Sequence, residues 1–334
     1  MPDLKKILSI SNFNKSQRQF LKYCLLFFIP VVIIYCILEM LAVNLPINYK
    51  VVSDYLNSHS KKIELMALGS SQVRCGFNPA LSNKIAINIA SSSQHHKEDF
   101  LILQGTIDRL PNLKYVLFEV SYMHLELPYH SNEFWKNNIY LKYYDINAFE
   151  RTTYFKDRLL YLSNARFYSA KLRNYYIYKD DKVHLNKFGF DTNNYYGSFN
   201  KLNYDTSKIT NNHFKIYTRE NLDIFKNNTT YLFNMLDYMQ SKKLSVIICT
   251  FPLYKTYLKK RNPAVVHRRD SILTIIKKKY SNVLLLREET DTLQFIVNDF
   301  LNENHLNPDG AKKFTALVNQ KLDSFSTKAP KRPH

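Results

Sequence analysis

The chain has 334 residues, 47 Lys+Arg against 28 Asp+Glu, a formal net charge of +19 and only 6 glycines. Its length suits one large α/β domain or two small ones. The lack of GxGxxG and GxxxxGKS/T patterns argues against the common phosphate-cradling loops.

The basic excess favours anionic partners, but Lys and Arg are scattered, apart from short clusters such as Lys259-Lys260-Arg261, Arg268-Arg269 and Lys277-Lys278-Lys279. No zinc-finger spacing, nucleic-acid module, internal repeat or CxxC pair is present, so neither nucleic acid, nor a metal, nor a cofactor is expected.

The first element is an apolar run from Tyr23 to Val43, broken by one charge, Glu39, and one proline, Pro30. About 20 apolar residues cross a bilayer as a helix, and proline is tolerated there. A cleaved signal peptide is the competing reading, but it needs a shorter apolar core and a small-residue cleavage site. Met40-Leu41-Ala42-Val43-Asn44 matches that poorly. Lys5, Lys6, Lys15, Arg18 and Lys22 precede the run, whereas the stretch to Leu56 carries only Lys50, opposed by Asp54. The positive-inside rule then puts residues 1–22 in the cytoplasm and the chain beyond about residue 45 outside the cytoplasmic membrane, as a single-pass protein with an extracytoplasmic domain. Residues 44–60 read as a linker. If the span serves localisation alone, the domain folds without residues 1–45.

In residues 61–325, five short apolar runs alternate with amphipathic stretches. The runs are Ile63–Leu68, Ile85–Ile89, Tyr115–Val120, Leu244–Thr250 and Val283–Leu286; the helical patterns are roughly Glu98–Leu110, Arg219–Gln240, Asp270–Tyr280 and Pro308–Ser324. Such runs suit strands buried on both faces. The alternation predicts an α/β fold of three layers around a mostly parallel five-stranded sheet. Ser71, Ser93, Ser121 and Pro252 follow the first four runs, so they gather at the carboxyl edge of the sheet, where such folds bind ligands. Residues 122–218 lose periodicity and are crowded with Tyr, Asn and Lys. They read as an insertion at that edge, suited either to a glycan groove or to no groove at all if the composition is genomic bias. Residues 326–334 read as a disordered tail. Cys75 and Cys249 fit a disulfide or two free thiols.

Two segments carry the chemistry. Gly69-Ser70-Ser71 puts a small residue and hydroxyls at the exit of the first strand. Asn302-Glu303-Asn304-His305 puts an imidazole just before the last helix. Serine catalysis needs an exposed hydroxyl, an imidazole to take its proton, a third group to fix the imidazole tautomer, and N–H donors for the oxyanion. Separately, each segment has a plain structural reading: serines cap helices, and Asn307-Pro308-Asp309 begins one. Their joint occurrence in this order is what points to a site.

This order resembles the SGNH/GDSL hydrolase superfamily over roughly residues 60–325, the insertion excepted. Gly69-Ser70-Ser71 matches the first block with serine in place of aspartate, which implies Ser71 as nucleophile. Asn88-Ile-Ala-Ser-Ser-Ser93 matches the second, with Ser93 at the glycine whose N–H joins that of Ser71 in the oxyanion hole. Phe118-Glu119-Val120-Ser121 stands where the third block would be. Asn302-x-x-His305 matches the last block with asparagine in place of aspartate, which implies His305 as the base and Asn302, or another acid such as Glu303, as its orienting partner. The ending His305-Leu-Asn-Pro-Asp-Gly310-Ala311 and the N-terminal span are similar to membrane-anchored envelope proteins of this superfamily, those of teichoic-acid D-alanine transfer and exopolysaccharide acetylation. The resemblance implies a bacterial, membrane-anchored esterase or O-acyltransferase acting on acylated cell-surface polysaccharide, with a membrane-bound acyl-donor partner. Arg74, His95 and Ser121 are candidates to line the substrate cleft; Arg74 alone also reads as a solvated helix residue. The alternative is a non-catalytic protein of the same fold that binds or organises surface glycans.

Overall fold

The computed structural model describes residues 14–130, 134–180, 182–210 and 216–328. The expected cytoplasmic segment and terminal tail lie partly outside these residues.

Helix α1 (Lys15–Val43) opens with a capping box between Asn14 and Gln17 and runs through Pro30. Its apolar stretch is long enough to cross a membrane and is not buried by the rest of the chain. Its last turns are different: Ala42 and, just beyond, Leu45 are fully buried, and Leu38, Leu41 and Val43 pack on the main core. The stretch read as a linker carries a second helix, α2 (Asn48–His59), with Tyr49, Val52, Tyr55 and Leu56 turned inward. The i, i+3, i+4 spacing of those apolar residues is what seats it. The end of the span and residues 44–60 are therefore part of the domain's core, and the expectation that the anchor serves localisation alone does not describe this packing.

The next elements are β1 (Leu65–Ala67), α3 (Ser71–Gly76), β2 (Ala86–Asn88), α4 (His96–Thr106) and β3 (Tyr115–Glu119). The insertion follows, with short helices α5 (Lys136–Ile139), α6 (Leu160–Ser163) and α7 (Ala165–Leu172). The chain then returns through α8 (Leu222–Ser241), β4 (Ser245–Thr250), α9 (Pro263–Lys279) and β5 (Val283–Arg287). A small antiparallel hairpin, β6 (Phe300–Asn302) and β7 (His305–Leu306), precedes α10 (Pro308–Lys328).

All five expected strands form one parallel sheet in the order β2-β1-β3-β4-β5. Strand residues alternate between two cores, as a period of two requires. Met66, Val116, Phe118, Val246 and Ile248 face the side covered by α2, α4, α8 and α9. Leu65, Ala67, Leu117, Ile247 and Cys249 face the side covered by α3 and α10. The fold is thus the three-layer, doubly wound α/β architecture expected. The order reverses between β1 and β3, and the ligand crevice of such sheets lies at the carboxyl ends there. Cys75 and Cys249 are buried free thiols.

Candidate active site

The first strand leaves the sheet through Gly69, whose φ of +130° is open to glycine; a Cβ there would meet Val73 Cγ2 at 2.7 Å and Glu119 Oε1 at 3.1 Å. The glycine lets Glu119, at the end of β3, accept the Ser70 N–H at 2.5 Å. Ser70 then caps α3 by accepting from Gln72 N, which leaves Ser71 at the head of the helix facing the cleft. Burial raises the Glu119 carboxyl to about 7, against the opposing bonds from Ser70. Asn88, at the end of β2, holds α3 and its C-terminal end by donating to the carbonyls of Val73 and Phe77.

The hairpin supplies the imidazole. His305 Nε2 lies 2.7 Å from Ser71 Oγ, and His305 Nδ1 lies 3.0 Å from Asn302 Oδ1. Asn302 Oδ1 also accepts the backbone N–H groups of Asn304 and His305, each at 3.1 Å. Those two donors identify the atom facing Nδ1 as the carbonyl oxygen, not the amide nitrogen. Nδ1 therefore carries the ring proton, and Nε2 is left to accept from the Ser71 hydroxyl. An asparagine in this place is a hazard when it stabilises the wrong tautomer; here its rotation is blocked by the turn it caps. The hairpin is tied to the serine side by Gln72 Nε2, which donates to the Asn304 carbonyl at 3.0 Å. Asn307 caps α10 through the N–H groups of Asp309 and Gly310, so much of the ending around His305 serves to start that helix.

What asparagine cannot supply is negative charge. Burial first, and the Arg74 guanidinium second, hold the His305 imidazole down at about 4. It is a neutral base at neutral pH, correctly oriented but weak.

The second strand's exit forms a turn closed by Gln94 N to Ser91 O at 3.0 Å, with Ser91 N bonded back to Gly69 O. Ser93, exposed in this turn, has a φ of 60°. That is the left-handed region glycine favours. His130 Nε2 lies 2.8 Å from the Ser93 carbonyl. Lys136, from α5 in the insertion, donates to Ser91 Oγ at 3.0 Å and to the Ser92 carbonyl. The Ser92 carbonyl and the Ser93 N–H belong to one peptide group, so an ammonium on the oxygen polarises the N–H on the other side. Lys136 is buried. Burial, then Arg74, lower its amine to about 7, with Glu98 opposing. Tyr49 OH meets Ser91 Oγ at 2.8 Å from α2.

These turns open onto a cleft of about 720 Å³ lined by Ser71, Ser93, His95 and Ser121, with Tyr129, Tyr217, Tyr257, His130 and Arg219 among its other walls. Ser121 lies 3.3 Å from His124 Nδ1, and His95 is buried, with its Nδ1 accepting from Lys97 N. Arg74 is not among the lining residues. It is half-buried on α3, and its charge bears on His305 and Lys136. Glu303 is buried, and the partner of Nδ1 is Asn302. Lys136 and Glu119 were missed in the sequence. Glu119 stood in view within the unmatched third block, whereas nothing local marks Lys136.

No family model and no curated protein matches the chain. Among solved structures it is similar to a GDSL-like lipase from Bacteroides thetaiotaomicron, at 9% identity and TM-score 0.40 over 83% of this chain and 99% of that one. It is also similar to a protein assigned as an acylhydrolase from Bacteroides fragilis, at 9% identity and TM-score 0.39 over 81% of this chain and 95% of that one. A third is a protein assigned as lipolytic, of the G-D-S-L family, from Desulfitobacterium hafniense, at 11% identity and TM-score 0.36 over 77% and 98%. The chemistry of the site is read from its own atoms.

Proposed function

We propose that the chain is a membrane-anchored serine esterase or O-acyltransferase of the SGNH type, working on acyl groups of cell-surface polysaccharide outside the cytoplasmic membrane. The observation that carries this reading is the relay Asn302 Oδ1, His305, Ser71 Oγ, with bonds of 3.0 and 2.7 Å.

The Ser71 hydroxyl proton passes to His305 Nε2 as Oγ bonds to the acyl carbonyl carbon. The N–H groups of Ser71 and Ser93 hold the oxyanion, with Lys136 polarising the second. Collapse breaks the carbonyl-to-alkoxy bond, and the leaving oxygen takes the proton from His305. A glycan hydroxyl or water then attacks the acyl-enzyme with His305 again as base, which regenerates Ser71. An oxygen acceptor of either kind uses the same steps. The tyrosines on the cleft wall suit the apolar faces of sugar rings, and a membrane-bound donor suits an anchored chain.

A second reading, a glycan-binding protein without turnover, is favoured by one observation: the partner of His305 Nδ1 is the uncharged amide of Asn302. A fluorophosphonate probe separates the two. Labelling of the full-length protein that is lost in Ser71→Ala and in His305→Ala supports the esterase. A folded protein that takes no label supports the binder.

A further inference from the structure

The insertion does more than wall the cleft: it is joined to the apolar helix. The Glu39 carboxylate accepts the Leu160 N–H at 2.7 Å and the Tyr161 N–H at 2.8 Å, the first donors of α6. Tyr35 stacks edge-on against Tyr161, with ring centroids 6.4 Å apart. Tyr143 OH donates to the carbonyl of Val43, the last residue of α1. These contacts fix the insertion at known positions along the helix.

The rise of an α-helix is about 1.5 Å per residue, so Glu39 lies about 6 Å and Tyr35 about 12 Å short of Val43 along the axis. The hydrocarbon core takes about 20 residues, and Lys15, Arg18 and Lys22 keep the other end of α1 out of it. Counted from Tyr23, the core ends near Ala42. A segment bonded to Glu39 and packed on Tyr35 therefore lies about 5–10 Å inside that end, the depth to which a helix lying in the interface buries its apolar face. Among the side chains that this segment leaves uncovered are three large apolar ones: Leu162 is 60% exposed, Phe155 81%, and Tyr154 61%. Lys156 and Arg166, both exposed, lie close to them in the chain, and such basic side chains suit an anionic headgroup layer. The two N–H donors also account for a carboxylate at this depth, which is costly unless paired.

We propose that the insertion is a second membrane contact, in which α6, with Leu162 and the Tyr154–Phe155 corner, seats in the outer interface of the bilayer that α1 crosses. This rests on reading α1 as an uncleaved span. The occupant of the uncovered apolar face is lipid, argued from the direct continuity of that face with the span. Because the same insertion carries Lys136, His130 and Tyr129, the cleft is held at a set height and tilt over the membrane, suited to an acyl donor presented at the lipid surface.

The test uses the full-length chain in nanodiscs of phosphatidylcholine and phosphatidylglycerol, with and without bromine on the acyl chains near the headgroups. Tryptophan is introduced singly, beside the natural Trp135, as Phe28→Trp in the span, Phe155→Trp or Leu162→Trp in the insertion, and Leu293→Trp after the far edge strand, a position 93% exposed. The expected result is that the added emission of Phe28→Trp, Phe155→Trp and Leu162→Trp is blue-shifted and lost to bromine, while that of Leu293→Trp is neither. Adding Glu39→Leu should free the insertion tryptophans from quenching and leave Phe28→Trp quenched. If Phe28→Trp is quenched while both insertion tryptophans behave like Leu293→Trp, the second contact is wrong and the anchor stands. If Phe28→Trp is itself unquenched, the anchor fails and the proposal with it.

Discussion

The two walls of the cleft are built in different ways. Ser71, Asn302 and His305 stand on elements that the parallel sheet supports directly, α3 leaving β1 and the β6–β7 hairpin leading into α10. The facing wall, with His130 and Tyr129, comes from an insertion that also carries the buried Lys136 and is seated on α1, on α2 and on the turn after β2. In the proposed reaction the first wall holds the atoms between which bonds form and break. The second supplies charge and surface around them. Substitutions on the first should abolish or create chemical power, whereas those on the second should shift the pH range over which that power is available.

The largest effect belongs to Ser71→Ala and His305→Ala. Each should lower turnover of an activated acyl ester by roughly 10³-fold or more, with little added loss in the double variant, because a nucleophile and its base act as a unit. Losses that multiply would mean that the 2.7 Å contact is not a proton path. Next comes a gain. Asn302→Asp keeps the two backbone donors that orient the group and puts a charge beside Nδ1. An opposite charge at this range raises an imidazole by about 1–3 pH units, from a starting point of about 4, toward the range where a general base is most effective. Turnover at neutral pH should rise about 10- to 100-fold, with the acid limb of the pH profile moving up. If that limb stays where it was, the base is not limited by its missing acid.

The same division separates what the sequence revealed from what it did not. The five strands were legible because each is a short apolar run with its partners' register enforced by burial on both faces, as in Met66 and Leu65 facing opposite cores. The site's first wall was legible because strand exits carry it: Ser71 and Ser93 follow β1 and β2 directly, and His305 begins the segment that starts α10. Asn302 was legible as a position, but its orientation was not, since that depends on two N–H groups of a hairpin no periodicity announces. Lys136 was illegible for a stronger reason. It is one lysine among many in a segment without pattern, and its value comes from the Ser92 carbonyl, some 44 residues earlier. The linker reading of residues 44–60 failed in a similar way: the apolar face of α2 was present in the sequence, but its short length left the span as the louder signal.

Lys136 offers the next test. Activity should require a neutral His305, held at about 4, and a charged Lys136, held at about 7. The profile of the parent protein therefore rises through the first value and falls through the second. Lys136→Met should lose the alkaline limb and sit roughly 10-fold lower on its plateau, because a direct oxyanion donor is worth about 10²–10³ and Lys136 acts one peptide removed. Glu98, raised to about 7 by burial, titrates in the same window. Glu98→Gln should keep the limb; if it removes the limb and Lys136→Met does not, the carboxyl and not the amine sets the alkaline side.

The smallest effect separates charge from mechanical support. Tyr49 holds the same turn as Lys136, through the Ser91 hydroxyl at 2.8 Å, but brings no charge. Tyr49→Phe removes one buried hydrogen bond and leaves Ser91 Oγ its bond from Lys136. The cost should be about 1 kcal/mol in unfolding free energy, read by chemical denaturation, with turnover changed by less than about 5-fold even if that whole amount were felt in the barrier, at about 1.4 kcal/mol per tenfold, and with both limbs of the pH profile kept. If Tyr49→Phe lowers turnover as far as Lys136→Met does, the turn matters only for where it stands, and the polarised Ser92–Ser93 peptide has no part in the chemistry. If the two variants differ as described, an ammonium brought in from the insertion tunes an oxyanion site whose other parts all belong to the sheet.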